Sequence, residues 1–172
     1  MKVLITGGAR SGKSTYAESF YKHDDVKYIA TYVCNSDDLE MVYRIKKHKL
    51  QRNLKWETIE VNTFLNVTGE YILMDCLSIF VSNIMFYYTK DAKYINGELI
   101  EKIYSHIKRE ITTLVQNCKN IIIVTNEVGL GLVPINHVER VYRDVLGRTN
   151  RYVADMMDDV YLVVCGQPLK IK

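Results

Sequence analysis

Eight residues near the amino terminus, Gly7-Gly8-Ala9-Arg10-Ser11-Gly12-Lys13-Ser14, have the spacing G-x-x-x-x-G-K-S. Glycines in these places let successive backbone N–H groups converge on phosphate oxygens, Lys13 supplies a positive charge, and the Ser14 hydroxyl can ligate magnesium. A chance glycine-lysine turn would carry the same letters without a strand before it and a helix after it. Here Val3-Leu4-Ile5 is a short apolar run in front of the loop, and Tyr16, Ala17, Phe20 and Tyr21 recur at helical spacings behind it. That context assigns the segment to the phosphates of a nucleotide, with the positive end of the following helix behind them.

Asp75 closes the apolar run Tyr71-Ile72-Leu73-Met74 with a carboxylate. A strand beside a phosphate loop often ends this way to hold magnesium directly or through water, which makes Asp75 the metal candidate alongside Ser14. The competing reading is a helix cap, since Asp75, Cys76, Leu77 and Ser78 lead into a helical pattern.

A basic stretch follows the same logic less securely. At about 100° per residue, Arg44, His48 and Arg52 fall on one side of a helix, flanked by Met41 and Ile45, while Lys46 and Lys47 point elsewhere. Burial and like charge would lower the pKa of His48 and favour the neutral, nucleophilic imidazole, and the arginines could neutralise a phosphate under attack. Spacing alone favours the plainer alternative of a solvated basic helix. His23 lies in a polar turn, His106 falls off the apolar stripe of its helix, and His137 offers no more. The third segment, Thr125 to Pro134, opens from an apolar strand into a glycine-containing loop. Its carboxylate, Glu127, could face the nucleotide or order the loop. The segment lacks the N-K-x-D pattern of regulatory GTPases, which weakens a switch-protein reading.

The elements that must position these groups are legible as apolar runs alternating with longer helical patterns, the signature of a mostly parallel sheet covered by helices. Strands are expected at Lys2 to Thr6, Val26 to Thr31, Lys55 to Val61, Tyr71 to Asp75, Asn120 to Thr125 and Val160 to Cys165. Leu169 to Ile171 could add an antiparallel edge after a turn formed by Gly166 and Pro168. Helices are expected at Lys13 to Tyr21, Asp37 to Gln51, Ser78 to Tyr88, Gly97 to Cys118 and Asn136 to Met157. The fourth is the clearest, because Ile100, Ile103, Ile107, Ile111, Leu114 and Cys118 recur on one face. Without repeat, low-complexity tract or linker, residues 1–172 read as one domain with ligands beyond the carboxyl ends of its strands.

Composition agrees with a packed domain: of 172 residues, 48% are hydrophobic and 25% charged, which excludes disorder. The net charge of +3 reflects a local cluster between Arg44 and Lys55 and does not call for nucleic acid. Cys34, Cys76, Cys118 and Cys165 form no C-x-x-C pair, so they are expected as small apolar residues in a reducing cytoplasm, with neither zinc nor redox motif. No apolar stretch reaches the roughly 18 to 20 residues that span a bilayer, and a cytoplasmic location without membrane insertion is expected.

Taken together these segments resemble the bifunctional cobinamide kinase and cobinamide-phosphate guanylyltransferase family of cobalamin biosynthesis. The resemblance rests on Gly7 to Ser14, on Tyr28-Ile29-Ala30-Thr31, on Glu40-Met41 with Arg44-Ile45 and His48, and on Trp56, Thr58 and Glu60. It continues through Asp75-Cys76-Leu77 with Asn83, Thr125 to Pro134, Arg143-Asp144 with Gly147-Arg148 and Asn150, and the tail from Val160 to Lys172. It implies a P-loop NTPase-like α/β fold, a mostly parallel sheet with helices on both faces. It also implies two reactions: phosphorylation of adenosylcobinamide by ATP or GTP, then transfer of GMP from GTP to adenosylcobinamide phosphate through a GMP-histidine intermediate at His48. Carried over by position, the nucleotide falls to Gly7, Gly8, Ala9, Arg10, Ser11, Gly12, Lys13 and Ser14, and further to Thr31, Tyr32, Val33, Lys49, Leu50, Gln51, Arg52, Glu60 and Asp75. Ser14 and Asp75 would hold Mg2+, and Lys13 with Arg10 would stabilise charge in phosphoryl transfer. Many relatives have a small or polar residue where Tyr32 stands, and a proline where this chain has Asn53. The family also implies a homotrimer. Two rivals remain at this point: a small-molecule kinase without the guanylyl transfer, and a nucleotide-dependent binding protein.

Overall fold

Short apolar runs and amphipathic helices alternate along the chain, and in the computed structural model they build one seven-stranded sheet. The structure describes residues 1–22, 25–32, 53, 55–90 and 94–172. The strands are β1 (Lys2–Gly7), β2 (Val26–Ala30), β3 (Glu57–Glu60), β4 (Gly69–Asp75), β5 (Cys118–Val124), β6 (Asp159–Val164) and β7 (Gln167–Lys170). The described helices are α1 (Lys13–Ser19), α2 (Leu77–Thr89), α3 (Gly97–Gln116) and α4 (His137–Met156). Across the sheet the order is β3-β2-β4-β5-β1-β6-β7, parallel except for β7, which runs antiparallel to β6.

The side-chain period of two sorts the central strands between two cores, as expected of a parallel sheet buried on both faces. Leu4, Ile72, Met74, Ile121 and Ile123 join Phe80 of α2, Ile107 of α3 and Val145 of α4 on one face. Val3, Ile5, Leu73, Ile122 and Val124 point to the other, where Ala17 of α1 and Tyr21, Tyr28 and Trp56 cover them. Asn96 and Asn136 cap the two long helices, accepting from the backbone N–H of Leu99 at 2.9 Å and of Val138 at 2.8 Å. Among the described residues no helix is long and apolar enough to cross a membrane.

Several expectations change. The strand that ends in Asp75 is not beside the phosphate-loop strand: β5 lies between β4 and β1. The expected helix at Gly97 to Cys118 stops at Gln116, because Asn117 is its cap and Cys118 already opens β5 in register with Gly69. His106 is 4% exposed, packed between Phe64 and Tyr88 where segment 62–66 covers α3, so the edge of the apolar stripe is buried by a loop rather than solvated. Pro168 sits inside β7 opposite Val163, tolerated because β7 is an edge, and the turn is Cys165-Gly166 with φ of 51° and 77°. That turn leaves Cys165 exposed, unlike buried Cys76 and Cys118. The helix expected at Asp37 to Gln51, and Cys34 before it, lie outside the described residues.

Candidate nucleotide site at the carboxyl ends of the strands

The phosphate loop is shaped by close approaches that only glycine permits at two positions. A Cβ on Gly7 would stand 2.5 Å from the Val163 carbonyl oxygen and 2.7 Å from Ser11 Oγ. Gly12, at φ +94°, caps α1, and a Cβ there would stand 3.2 Å from the Gly166 Cα. The backbone of the β6–β7 turn completes the backing, with Gly166 N–H donating to Ser11 O at 2.8 Å. Arg10, at φ 56°, stands exposed within the loop. Neither a side-chain cap nor an acidic residue occupies the first turn of α1, which leaves its amino end to an anion.

Lys13 is 8% exposed and donates from Nζ to Gly8 O at 2.8 Å, across the mouth of its own loop. Burial pushes its pKa down, and the neighbouring Cys76 and Asp75 oppose that shift. The opposition places Asp75 in the field of Lys13 even though it sits two strands from β1, about 10 Å at the usual strand spacing. Asp75 is itself oriented: Tyr28 Oη donates to its Oδ2 at 2.9 Å. Burial pushes the Cys76 thiol up to about 11, with the Asp75 charge adding to the effect, so Cys76 is no nucleophile at neutral pH.

Thr31 has a different task from the expected nucleotide contact. It is fully buried; its Oγ1 donates to Cys76 O at 2.8 Å and accepts from Cys76 N at 2.9 Å. Its carbonyl accepts from Asn83 Nδ2 at 2.7 Å. The hydroxyl is therefore committed to joining the ends of β2 and β4 behind Asp75. Tyr32 follows it, half-buried. Glu60 is exposed on the edge strand β3, four strands from β1 and so roughly 19 Å across the sheet. Ser14 is half-buried in the first turn of α1. Val33, His48, Lys49, Leu50, Gln51 and Arg52 lie outside the described residues.

Glu127 orders its loop: Oε1 accepts from Gly129 N at 2.6 Å, and its own N–H donates to Gly7 O at 3.1 Å. Tyr28 and Asn83 were not singled out from the sequence as partners of the acidic position. Tyr28 reaches the site through strand register, since Ala30 pairs with Asp75 and Tyr28 lies two residues earlier on the same face of β2. No local pattern marks Asn83 of α2, whose Nδ2 donates to the backbone carbonyls of Thr31 at 2.7 Å and Asn62 at 3.2 Å, both distant in sequence.

A model of the family described as "Cobinamide kinase / cobinamide phosphate guanyltransferase" matches residues 3–171. The chain is 36% identical over 187 residues to "Bifunctional adenosylcobalamin biosynthesis protein CobU" of Escherichia coli (strain K12), covering all of both chains. It is 38% identical over 186 residues to the protein of that name from Salmonella typhimurium, again covering all of both. To "Bifunctional adenosylcobalamin biosynthesis protein CobP" of Pseudomonas aeruginosa it is 34% identical over 183 residues, covering all of this chain and 98% of the relative.

Proposed function

The chain belongs to the cobinamide kinase / cobinamide phosphate guanyltransferase family, and on that premise we propose how its own residues divide the two reactions. It is a bifunctional enzyme of cobalamin biosynthesis that phosphorylates adenosylcobinamide and then guanylylates the product. The observation that carries the assignment of residues is Lys13, a buried ammonium bridging its own phosphate loop within the field of Asp75.

In the kinase step the phosphates of ATP or GTP replace Gly8 O as the partner of Lys13, and the loop N–H groups take the remaining phosphate oxygens. The acceptor hydroxyl oxygen attacks the γ phosphorus, the bond to the β–γ bridging oxygen breaks, the nucleoside diphosphate leaves, and the hydroxyl proton passes to water. Lys13 and Arg10 stabilise the charge that develops. Ser14 and Asp75 offer the hard oxygen donors that suit Mg2+. Bound there, Mg2+ would neutralise charge on the phosphate oxygens. Tyr28 keeps the Asp75 carboxylate turned to that task.

In the second reaction an imidazole nitrogen of His48 attacks the α phosphorus of GTP and pyrophosphate leaves. A phosphate oxygen of adenosylcobinamide phosphate then attacks the phosphoramidate, the P–N bond breaks, and adenosylcobinamide-GDP forms with His48 restored. Tyr32, Val33, Glu60 and Lys49 to Arg52 are assigned to the guanosine end of the nucleotide. The enzyme works as a cytoplasmic homotrimer in this reading, and Phe86 and Tyr87 on the outer side of α2 supply exposed apolar surface for the subunit contact. Incubation with GTP labelled in the α phosphate tests the covalent route: the protein should acquire an acid-labile, alkali-stable label that His48→Ala abolishes. A wild-type protein that stays unlabelled would sink the histidine intermediate.

A further inference from the structure

Segment 125–135 starts at the phosphate loop and then runs outward as an apolar ridge. Glu127 N–H donates to Gly7 O at 3.1 Å, so the root of the segment touches the first residue of the loop. No charged residue occurs from Val128 to Ile135, and Leu130, Leu132 and Ile135 are 86%, 96% and 97% exposed. The backbone is nevertheless pinned. Arg143 Nη2 donates to Gly129 O at 2.6 Å, Arg140 Nη1 to Pro134 O at 3.1 Å and also to Ile135 O. Asn150 Nδ2 donates to Asn126 O at 3.0 Å, while its Oδ1 accepts from Thr125 Oγ1 at 2.8 Å.

Arg140, Arg143 and Asn150 share one face of α4. That face holds the carbonyls of the segment, and the side chains of Leu130, Leu132, Val133 and Ile135 are turned into solvent. Single exposed apolar residues are ordinary, but a contiguous uncharged run held outward by charge-assisted bonds has the character of a binding surface.

We propose that this ridge is the wall on which the corrinoid acceptor rests, with Arg143 as its positioning residue; the assignment depends on the functional reading above. Two features select this occupant. The acceptor oxygen must reach a phosphorus held over Gly7 to Ser14, and this segment is hydrogen-bonded to that loop. A corrin ring is a broad body with a rim of methyl and carboxamide groups and no anionic side chains, so an uncharged apolar ridge with fixed backbone polar groups complements it better than a basic cleft.

The test compares wild type with Leu132→Ser/Ile135→Ser, whose side chains are too exposed to support the fold, and with Arg143→Ala and Arg143→Lys. For each, kcat and KM for adenosylcobinamide are measured at saturating GTP, with GTP affinity and mass by light scattering recorded in parallel. The serine pair should raise the corrinoid KM about tenfold or more, as lost apolar contact predicts, while GTP affinity and mass hold. Arg143→Ala should move the same parameter in the same direction, and Arg143→Lys should recover part of it. An unchanged corrinoid KM in the serine pair overturns the proposal, and so does a loss of assembled mass, which would make the ridge a contact between copies. A wild type that binds GTP but never phosphorylates adenosylcobinamide would instead overturn the functional reading on which the proposal stands.

Discussion

Lys13 carries a charge that its burial disfavours. Its pKa in the folded chain lies below the ordinary 10.5 because burial outweighs the help of Cys76 and Asp75. The charged form therefore weakens the ligand-free fold at neutral pH, and the weakening fades as pH rises through the lowered pKa towards 10.5. Bound phosphates reverse the balance by supplying opposite charge beside the ammonium. Lys13→Met should consequently leave the thermal midpoint of the ligand-free protein at neutral pH equal to or above wild type, while nucleotide affinity falls about ten- to a hundredfold, the worth of one charge-assisted hydrogen bond. Calorimetric unfolding and nucleotide titration check the two halves; a less stable variant that binds normally would contradict both. The residue scale also shows where reading by type stops. Lys13, Ser14 and Asp75 announce themselves by spacing, whereas Tyr28 becomes part of the site only through the register of β2 against β4, and Thr31 is withdrawn from the ligand by its two bonds to Cys76.

At the scale of elements, the connection β1-loop-α1 works because a second element backs it. The β6–β7 hairpin presents the Val163 carbonyl to Gly7 and the backbone of Gly166 to Ser11 and Gly12. Gly7→Ala sets a methyl carbon 2.5 Å from that carbonyl, so β1 and β6 must separate or the loop must shift. The expected loss is about 1–3 kcal/mol of stability together with most nucleotide affinity, readable by denaturant unfolding and by titration with GTP. Retention of both would show that the close approach is dispensable. The strand-loop-helix unit is readable from Val3 to Tyr21 by pattern, but its support comes from residues more than 150 positions later, which no local pattern ties to it.

At the scale of the whole molecule, α3 meets the chain that leads into β4 around a buried histidine. His106 lies 3.8 Å from Glu110, between the rings of Phe64 and Tyr88, and Glu110 also accepts from Leu65 N–H at 2.9 Å. Burial, then the Arg109 charge, lowers the pKa of His106 below 6.5, against the pull of Glu110. A folded pKa below the unfolded one means that the unfolded chain takes up the proton first, so the stability linked to this ring is complete above pH 6.5 and is lost as pH falls from 6.5 through the lowered value. His106→Phe, which keeps an aromatic ring among aromatic neighbours, should flatten the decline of the unfolding midpoint below pH 6.5 relative to wild type. Parallel pH curves for the two proteins would rule His106 out as its source.

The sequence by itself determined the alternation of strands and helices and the phosphate loop, because each depends on neighbours a few residues apart and, in the helices, on the period of 3.6. It also placed the chain in its family through motifs distributed from Gly7 to the tail. Only the tertiary structure decided that β5 stands between Asp75 and the loop, that Thr31 is a clamp, that His106 is buried, and that Arg140, Arg143 and Asn150 hold segment 125–135. Each of these depends on strand order or on one element covering another, and such pairings join residues whose separation along the chain leaves no periodic trace.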